Sequence, residues 1–326
     1  MTSRPRALVT APLRGPGFAK LRQLADVVYD PWIEQTPLRI YSADQLAERI
    51  TTERAQIVVV ESDSIKGPVF DLGLRAVAAT RGDPNNVDVA GATAAGVPVL
   101  YTPARNADAV AEMTVALLLA ATRQLLTADS DVRSGNMFRE GSIPYQRFRG
   151  WEIAGLTAGL VGLGAVGRAT AWRLSGLGLR VIAHDPYADD ATHSLDELLA
   201  EADVVSLHAP VTKDTVGMIG AGQFAAMRDG VVFLNTARAQ LHDTDALVEA
   251  LRSGKVSAAG LDHFAGEWLP TDHPLTAMGN VVLTPHIGGA TWNTEVRQAQ
   301  LVADDLAALL SGGKPAHIVN PEVLGS

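Results

Sequence analysis

Three residue types with complementary charge and proton chemistry stand at the ends of successive β-branched runs in the second half of this chain. "GVVFLNTA" (230–237) runs into Arg238, "VSAAGLD" (256–262) leads on to Glu267, and "NVVLTP" (280–285) stops at His286. A guanidinium grips a carboxylate through paired N–H groups. An imidazole titrates near neutrality and exchanges a proton at working pH. A buried glutamate bonded to the far ring nitrogen would fix the tautomer and favour the imidazolium. Together they suit hydride exchange at C2 of a 2-hydroxy acid, the cation holding the carboxylate and the histidine moving the hydroxyl proton. Taken singly, Arg238 reads as well as a surface ion-pair partner, Glu267 as a solvated loop acid and His286 as a hydrogen-bonded core histidine. Their place on consecutive strand ends, where open α/β sheets bind ligands, favours the joint reading.

A hydride needs a carrier. "TAGLVGLGAVGRATAWRL" (157–174) sets Gly162, Gly164 and Gly167 in a GxGxxG pattern, directly after an apolar strand and at the start of a helix. The first glycine permits a tight turn, the second lets a pyrophosphate approach the backbone, and the third lets helix and strand pack closely. The anion then meets unpaired N–H groups at the helix N-terminus. The following run, "LRVIAHD" (179–185), ends in Asp185, eighteen residues past Gly167. A carboxylate there accepts from ribose hydroxyls and repels a 2′-phosphate, which points to NAD rather than NADP. The plainer alternative is a glycine-rich turn with an unrelated aspartate.

The elements that must position these groups alternate as short β-branched runs and helix-length segments, the pattern of parallel sheets covered by helices. A first series of strands is expected at 6–11, 55–61 and 97–102. A second is expected at 157–162, 179–185, 203–210, 230–237, 256–262 and 280–285. Between them, 105–135 reads as one long helix apart from its glycine end, followed by a loop or arm at 138–155. Another helix is expected after residue 291, ending at paired glycines. The chain would change domain near residue 103, and closure about hinges near 103 and 290 would exclude water.

Composition limits the classes of function. The 326 residues exceed one ordinary core, and 47% hydrophobic with 19% charged content describes a folded chain. A net charge of −9 argues against a nucleic-acid partner. With no cysteine there are no disulfides, thiolate nucleophiles or cysteine metal sites. The N-terminal residues lack a signal-type apolar run, and "VALLLAA" (115–121) is far short of a membrane span. A cytoplasmic protein without membrane association is expected. His263 and His273, with Asp262 and Asp272, lack a recognised ligand spacing, so no metal is expected.

The chain resembles the D-isomer-specific 2-hydroxyacid dehydrogenases, which include phosphoglycerate, glyoxylate/hydroxypyruvate and D-lactate dehydrogenases. The likeness runs from "NNVDVAGATAAGVPVLYTP" through "GLTAGLVGLGAVGRA", "VVSLHAPVTKDTVGMIG", "FLNTARAQLHDTDALVEALRSGKVSAAGLDHF" and "LPTDHPLTAMGNVVLTPHIGGAT" to "NPEVL". It implies an α/β fold of two Rossmann-like or flavodoxin-like domains. A discontinuous substrate-binding domain (1–103 and 291–326) would flank an NAD-binding Rossmann domain (104–290). It also implies a small 2-hydroxy or 2-keto acid substrate and a homodimer through the NAD-binding domain. Arg238, Glu267 and His286 take the catalytic positions. Cofactor contacts fall on Gly162, Gly164, Ala165, Val166, Gly167, Asp185, Ala209, Pro210, Thr215, Thr236, Ala237 and Asp262, with Gly288 near the nicotinamide. Substrate contacts fall on Ser62, Arg81, Gly82, Asp83, Arg105 and Arg238.

The departures lie on the substrate side. The family's glycine-rich carboxylate loop reads "RGDPNNVD" (81–88), where Pro84 has no N–H to donate. Glu61-Ser62-Asp63 stands where phosphoglycerate enzymes tend to carry a basic residue, and would oppose a phosphorylated substrate unless Lys66, Arg81 or Arg105 compensates. Trp268 replaces a common proline and Ala239 a common glycine. The alternative from another class is an NAD-sensing binding protein resembling the family's corepressors. Formate dehydrogenase shares the fold but pairs its histidine with glutamine.

Overall fold

The computed structural model describes residues 4–139 and 141–325. They form two compact units, one from the chain up to Arg105 together with Thr291 onward, the other Asn106–Ala290.

The first unit holds five parallel strands: β1 (Arg6–Val9), β2 (Asp26–Tyr29), β3 (Ile57–Val60), β4 (Ala76–Ala79) and β5 (Val99–Tyr101). Their order is β2-β1-β3-β4-β5. β3 and β4 are buried at every residue, as a parallel strand covered on both faces must be. β1, β3 and β5 lie within runs expected from sequence, and β2 and β4 do not. β2 is a short, half-exposed edge strand, and β4 ("AVAA") is mostly alanine, a poor strand former that burial overrides. The helix Trp292–Leu310 returns to this unit and lies against the helix Gly15–Leu24. A Cβ on Gly17 would come within 2.3 Å of Gln300 N, so the two backbones touch there.

The second unit holds β6 (Thr157–Val161), β7 (Arg180–His184), β8 (Val204–Leu207), β9 (Val231–Asn235), β10 (Val256–Leu261) and β11 (Val281–Leu283). All are parallel, in the order β11-β10-β9-β8-β6-β7, and each lies inside a run expected from sequence. Their carboxyl ends therefore share one edge. The strand order reverses beside β6, the position at which such sheets open a ligand crevice.

The single helix expected over 105–135 is two, Ala107–Thr122 and Leu125–Arg133, bent by 65°. Gln124 takes the left-handed conformation between them (φ 52°). The cause is distant in sequence: Trp151 N donates to Thr122 O (3.3 Å) and Gln124 Nε2 to Arg149 O (3.0 Å). The returning segment thus captures the end of the first helix. No single described helix is long and apolar enough to cross a membrane.

Candidate active site

The phosphate turn follows β6. Gly162 has φ +100°, and a Cβ there would lie 2.6 Å from Ala209 N. A Cβ on Gly167 would lie 2.2 Å from Gly162 O, while Gly164 has nothing within 4 Å. Gly164 opens the helix Ala165–Gly176 with no side-chain cap, leaving its first-turn N–H groups, those of Ala165 and Val166 among them, to an outside acceptor. Asp185 is fixed beside the turn: Oδ2 accepts from Leu163 N (2.7 Å) and Oδ1 from Tyr187 N (2.9 Å). Each oxygen keeps capacity for a further donor. A turn with no room for a Cβ at Gly162 and Gly167, an uncapped helix start and an adjacent carboxylate fit a dinucleotide. Ala209 and exposed Pro210 follow β8. The hydroxyl of Thr215 closes that loop, donating to Pro210 O (2.6 Å) and accepting from Thr212 N (2.7 Å).

Beyond β9 the buried Asn235 shapes the next turn. Its Oδ1 accepts from Ala237 N (3.0 Å), and its Nδ2 donates to Arg238 O (2.8 Å) and lies 2.9 Å from His242 Nδ1. This presents the exposed Arg238, whose Nη1 donates to Ala237 O (2.6 Å). Thr236, expected among the cofactor contacts, is buried with its hydroxyl 2.8 Å from that of Thr114.

β10 ends at Asp262, which is 1% exposed. Its Oδ1 accepts from Thr284 Oγ1 (2.6 Å) and Ile287 N (2.9 Å), and its Oδ2 from Gly288 N (2.8 Å). Asp262, also expected at the cofactor, is thus the anchor of the turn that carries His286. A Cβ on Gly288 would lie 2.9 Å from Asp262 Oδ2, so the anchor itself calls for glycine. His286 (φ +54°) and Glu267 (φ +56°) both adopt left-handed backbone, a strain the surrounding bonds sustain. Glu267 Oε1 lies 2.9 Å from His286 Nδ1. The glutamate is not buried as expected: its side chain is 58% exposed and that of His286 42%.

His263, whose sequence spacing suggests no ligand set, stands beside this pair. Its buried ring packs against His286 with centroids 3.7 Å apart and planes 49° apart. Burial, then the neighbouring His286 and Arg238, push its pKa down to about 3. Glu267 Oε1 lies 3.9 Å from its Nδ1, beyond hydrogen-bonding reach. His273 is used elsewhere, its Nδ1 accepting from Leu275 N (3.2 Å). Burial also lowers His208 and His242, each to about 4.

In the first unit, Ser62 follows β3, and Arg81 follows β4 and donates to Glu61 O (2.6 Å) and Asn85 Oδ1 (2.8 Å). Gly82 and Asp83 are exposed. Arg105 forms an ion pair with Glu61 (2.6 Å) and bonds Gln298, while Trp32 Nε1 donates to the other Glu61 oxygen (3.1 Å). Asp63 is fully buried and accepts from Thr10 Oγ1 (2.5 Å) and Tyr41 N (2.6 Å), and burial raises its pKa. It is an internal pin rather than a surface acid opposing phosphate. Gln298 and Trp32 carried no local signal that would have singled them out.

Comparison with known proteins gives consistent matches. The family model for the D-isomer specific 2-hydroxyacid dehydrogenase NAD binding domain matches residues 115–288. A glyoxylate reductase of Thermofilum pendens is 37% identical over 333 residues, 99% of this chain and 96% of its own. Among solved structures, the TT0316 protein from Thermus thermophilus superposes with a TM-score of 0.82 at 36% identity, covering 96% of this chain and 99% of that one. The NAD-complexed D-isomer specific 2-hydroxyacid dehydrogenase from Lactobacillus delbrueckii ssp. bulgaricus gives 0.79 at 26% identity, covering 97% and 99%.

Proposed function

Because the chain belongs to the D-isomer-specific 2-hydroxyacid dehydrogenases, and so is an NAD-dependent oxidoreductase, we propose that it reduces a small unphosphorylated 2-oxo acid, with His286 as acid/base and Arg238 holding the carboxylate. The observation that carries this reading is the 2.9 Å contact of Glu267 with His286, on the sheet edge that also presents Arg238. Bound NAD supplies the nicotinamide carbon that exchanges a hydride with substrate C2. Gly162, Gly164, Ala165, Val166 and Gly167 would hold its pyrophosphate, and Asp185 its ribose.

With Nδ1 engaged by Glu267, the Nε2 of His286 is left to protonate the carbonyl oxygen in reduction and to take the hydroxyl proton in oxidation. Glu267, at 2.9 Å from Nδ1, holds the ring in that orientation. Arg238 spends one N–H on Ala237 O and keeps its others for the substrate carboxylate. Of the residues expected at the substrate, Ser62, Arg81, Gly82, Asp83 and Arg105 belong to the first unit. There the charge of Arg105 is already matched by Glu61, which supports an acid without a phosphate. The reading includes a cytosolic homodimer through the second unit. Exposed Phe138, Tyr145, Trp151 and Trp172 support the dimer.

Steady-state rates with glyoxylate, hydroxypyruvate, pyruvate and 3-phosphohydroxypyruvate, each with NADH and NADPH, test the proposal. NADH and an unphosphorylated acid should give the highest kcat/KM. A best rate with the phosphorylated acid would sink the substrate assignment, and NADH binding without turnover would restore the sensor alternative.

A further inference from the structure

We infer that His263, Glu267 and His286 form a reversible binding site for a zinc-class divalent cation. Among the described residues these three bring one ligand atom each to within 4.8 Å of one another. The carboxylate oxygen lies 2.9 Å from one imidazole nitrogen and 3.9 Å from the other. Metal–ligand bonds of about 2.0–2.1 Å in tetrahedral geometry place ligand atoms roughly 3.4 Å apart, between those two distances. Small rotations of the exposed Glu267 side chain would even them out.

The donor chemistry selects the ion. Two imidazoles and a carboxylate suit zinc and its first-row neighbours, whereas magnesium and calcium prefer oxygen alone. Three protein ligands leave a fourth position for water. The environment is also divided in a useful way. His263 is 4% exposed and makes no hydrogen bond with Glu267, so its Nδ1 is not committed to that carboxylate. The His286 and Glu267 side chains are 42% and 58% exposed and leave a path for the ion. Asp262 fixes the turn beneath His286, so one ligand is held by backbone before any ion arrives.

One consequence rests on the function proposed above. A cation held at the nitrogen facing Glu267 displaces the proton there and breaks the His286–Glu267 pair, so occupancy would stop proton transfer until the ion is removed.

The full chain, stripped with EDTA and dialysed, should bind one zinc per chain in a calorimetric titration with ZnCl2. Affinity should fall at least about tenfold in both His263→Val and His263→Phe, the second keeping an aromatic ring beneath His286. Glu267→Gln, read by the same titration, serves if neither folds. His193→Ala, which removes the half-buried imidazole 3.2 Å from Glu201, should bind zinc as the parent does. Absence of binding by the parent, or equal binding by the His263 variants, overturns the site. Zinc should also inhibit keto-acid reduction, with EDTA restoring the rate. Binding that follows the expected variants but leaves turnover intact would overturn the acid/base role of His286 and leave the metal site standing.

Discussion

His286 sits in a left-handed backbone conformation that a non-glycine residue occupies only when its neighbours insist. The insistence comes from Asp262, whose two oxygens take two backbone N–H groups and one hydroxyl from residues 284–288. His286→Ala should therefore lower turnover by roughly 10²–10⁴-fold while NADH binding, followed by fluorescence, stays near the parent value. Comparable turnover would remove the histidine from the chemistry. A second expectation concerns the buried histidines. Burial lowers His242 from 6.5 to about 4, so the unfolded chain takes up protons that the folded one refuses. The stability that neutral His242 contributes is complete above pH 6.5 and drains away as pH falls toward 4. Between pH 6.5 and 5 the loss is about 2 kcal/mol for such a group. Urea midpoints across that range should fall, and His242→Gln should flatten the slope. An unchanged slope would show that His242 is not held neutral.

At the scale of elements, the β6 turn joins a strand, a helix and the loop after β8 through glycine contacts. Gly162→Ala faces a positive φ and a 2.6 Å encounter with the backbone of Ala209, neither of which a side-chain rotation relieves. The variant should lose at least about 2 kcal/mol of stability and bind NADH more weakly, as read by denaturant titration and fluorescence. A folded variant with parental affinity would separate this turn from the cofactor. The break at Gln124 teaches the opposite lesson. Good helix formers run through residues 107–133, so periodicity reads one helix. The bend is imposed by residues 149–151, whose contact with the helix end has no local signature.

At the scale of the molecule, the homodimer proposed above rests on the aromatic surface of the second unit. Tyr145 and Trp151 are 84% and 73% exposed, more than an isolated chain gains from large rings in water. Light scattering should give twice the 34.3 kDa chain mass, and Tyr145→Asp with Trp151→Asp should return it to one. A parent chain that runs as a monomer would end the homodimer proposal. In the first unit, Glu61 receives Arg105 and Trp32 at its two oxygens. The acid that looked hostile to substrate in the sequence is largely occupied at home.

The sequence by itself determined the α/β class, all six strands of the second unit, the glycine turn with Asp185, and the shared edge on which Arg238, Glu267 and His286 stand. These follow from signals carried within a few residues: β-branched runs, glycines where a Cβ cannot fit, and polar groups at strand ends. The tertiary structure alone decided what meets across the fold. It turned Thr236 toward Thr114, made Asp262 an anchor, left Glu267 in solvent and put His263 beneath His286. It also added β2 and the alanine strand β4, which only the packing around them makes strands. The reason is physical: a partner distant in the chain competes for each polar group on equal terms with a near one, and local patterning does not record the distant partner.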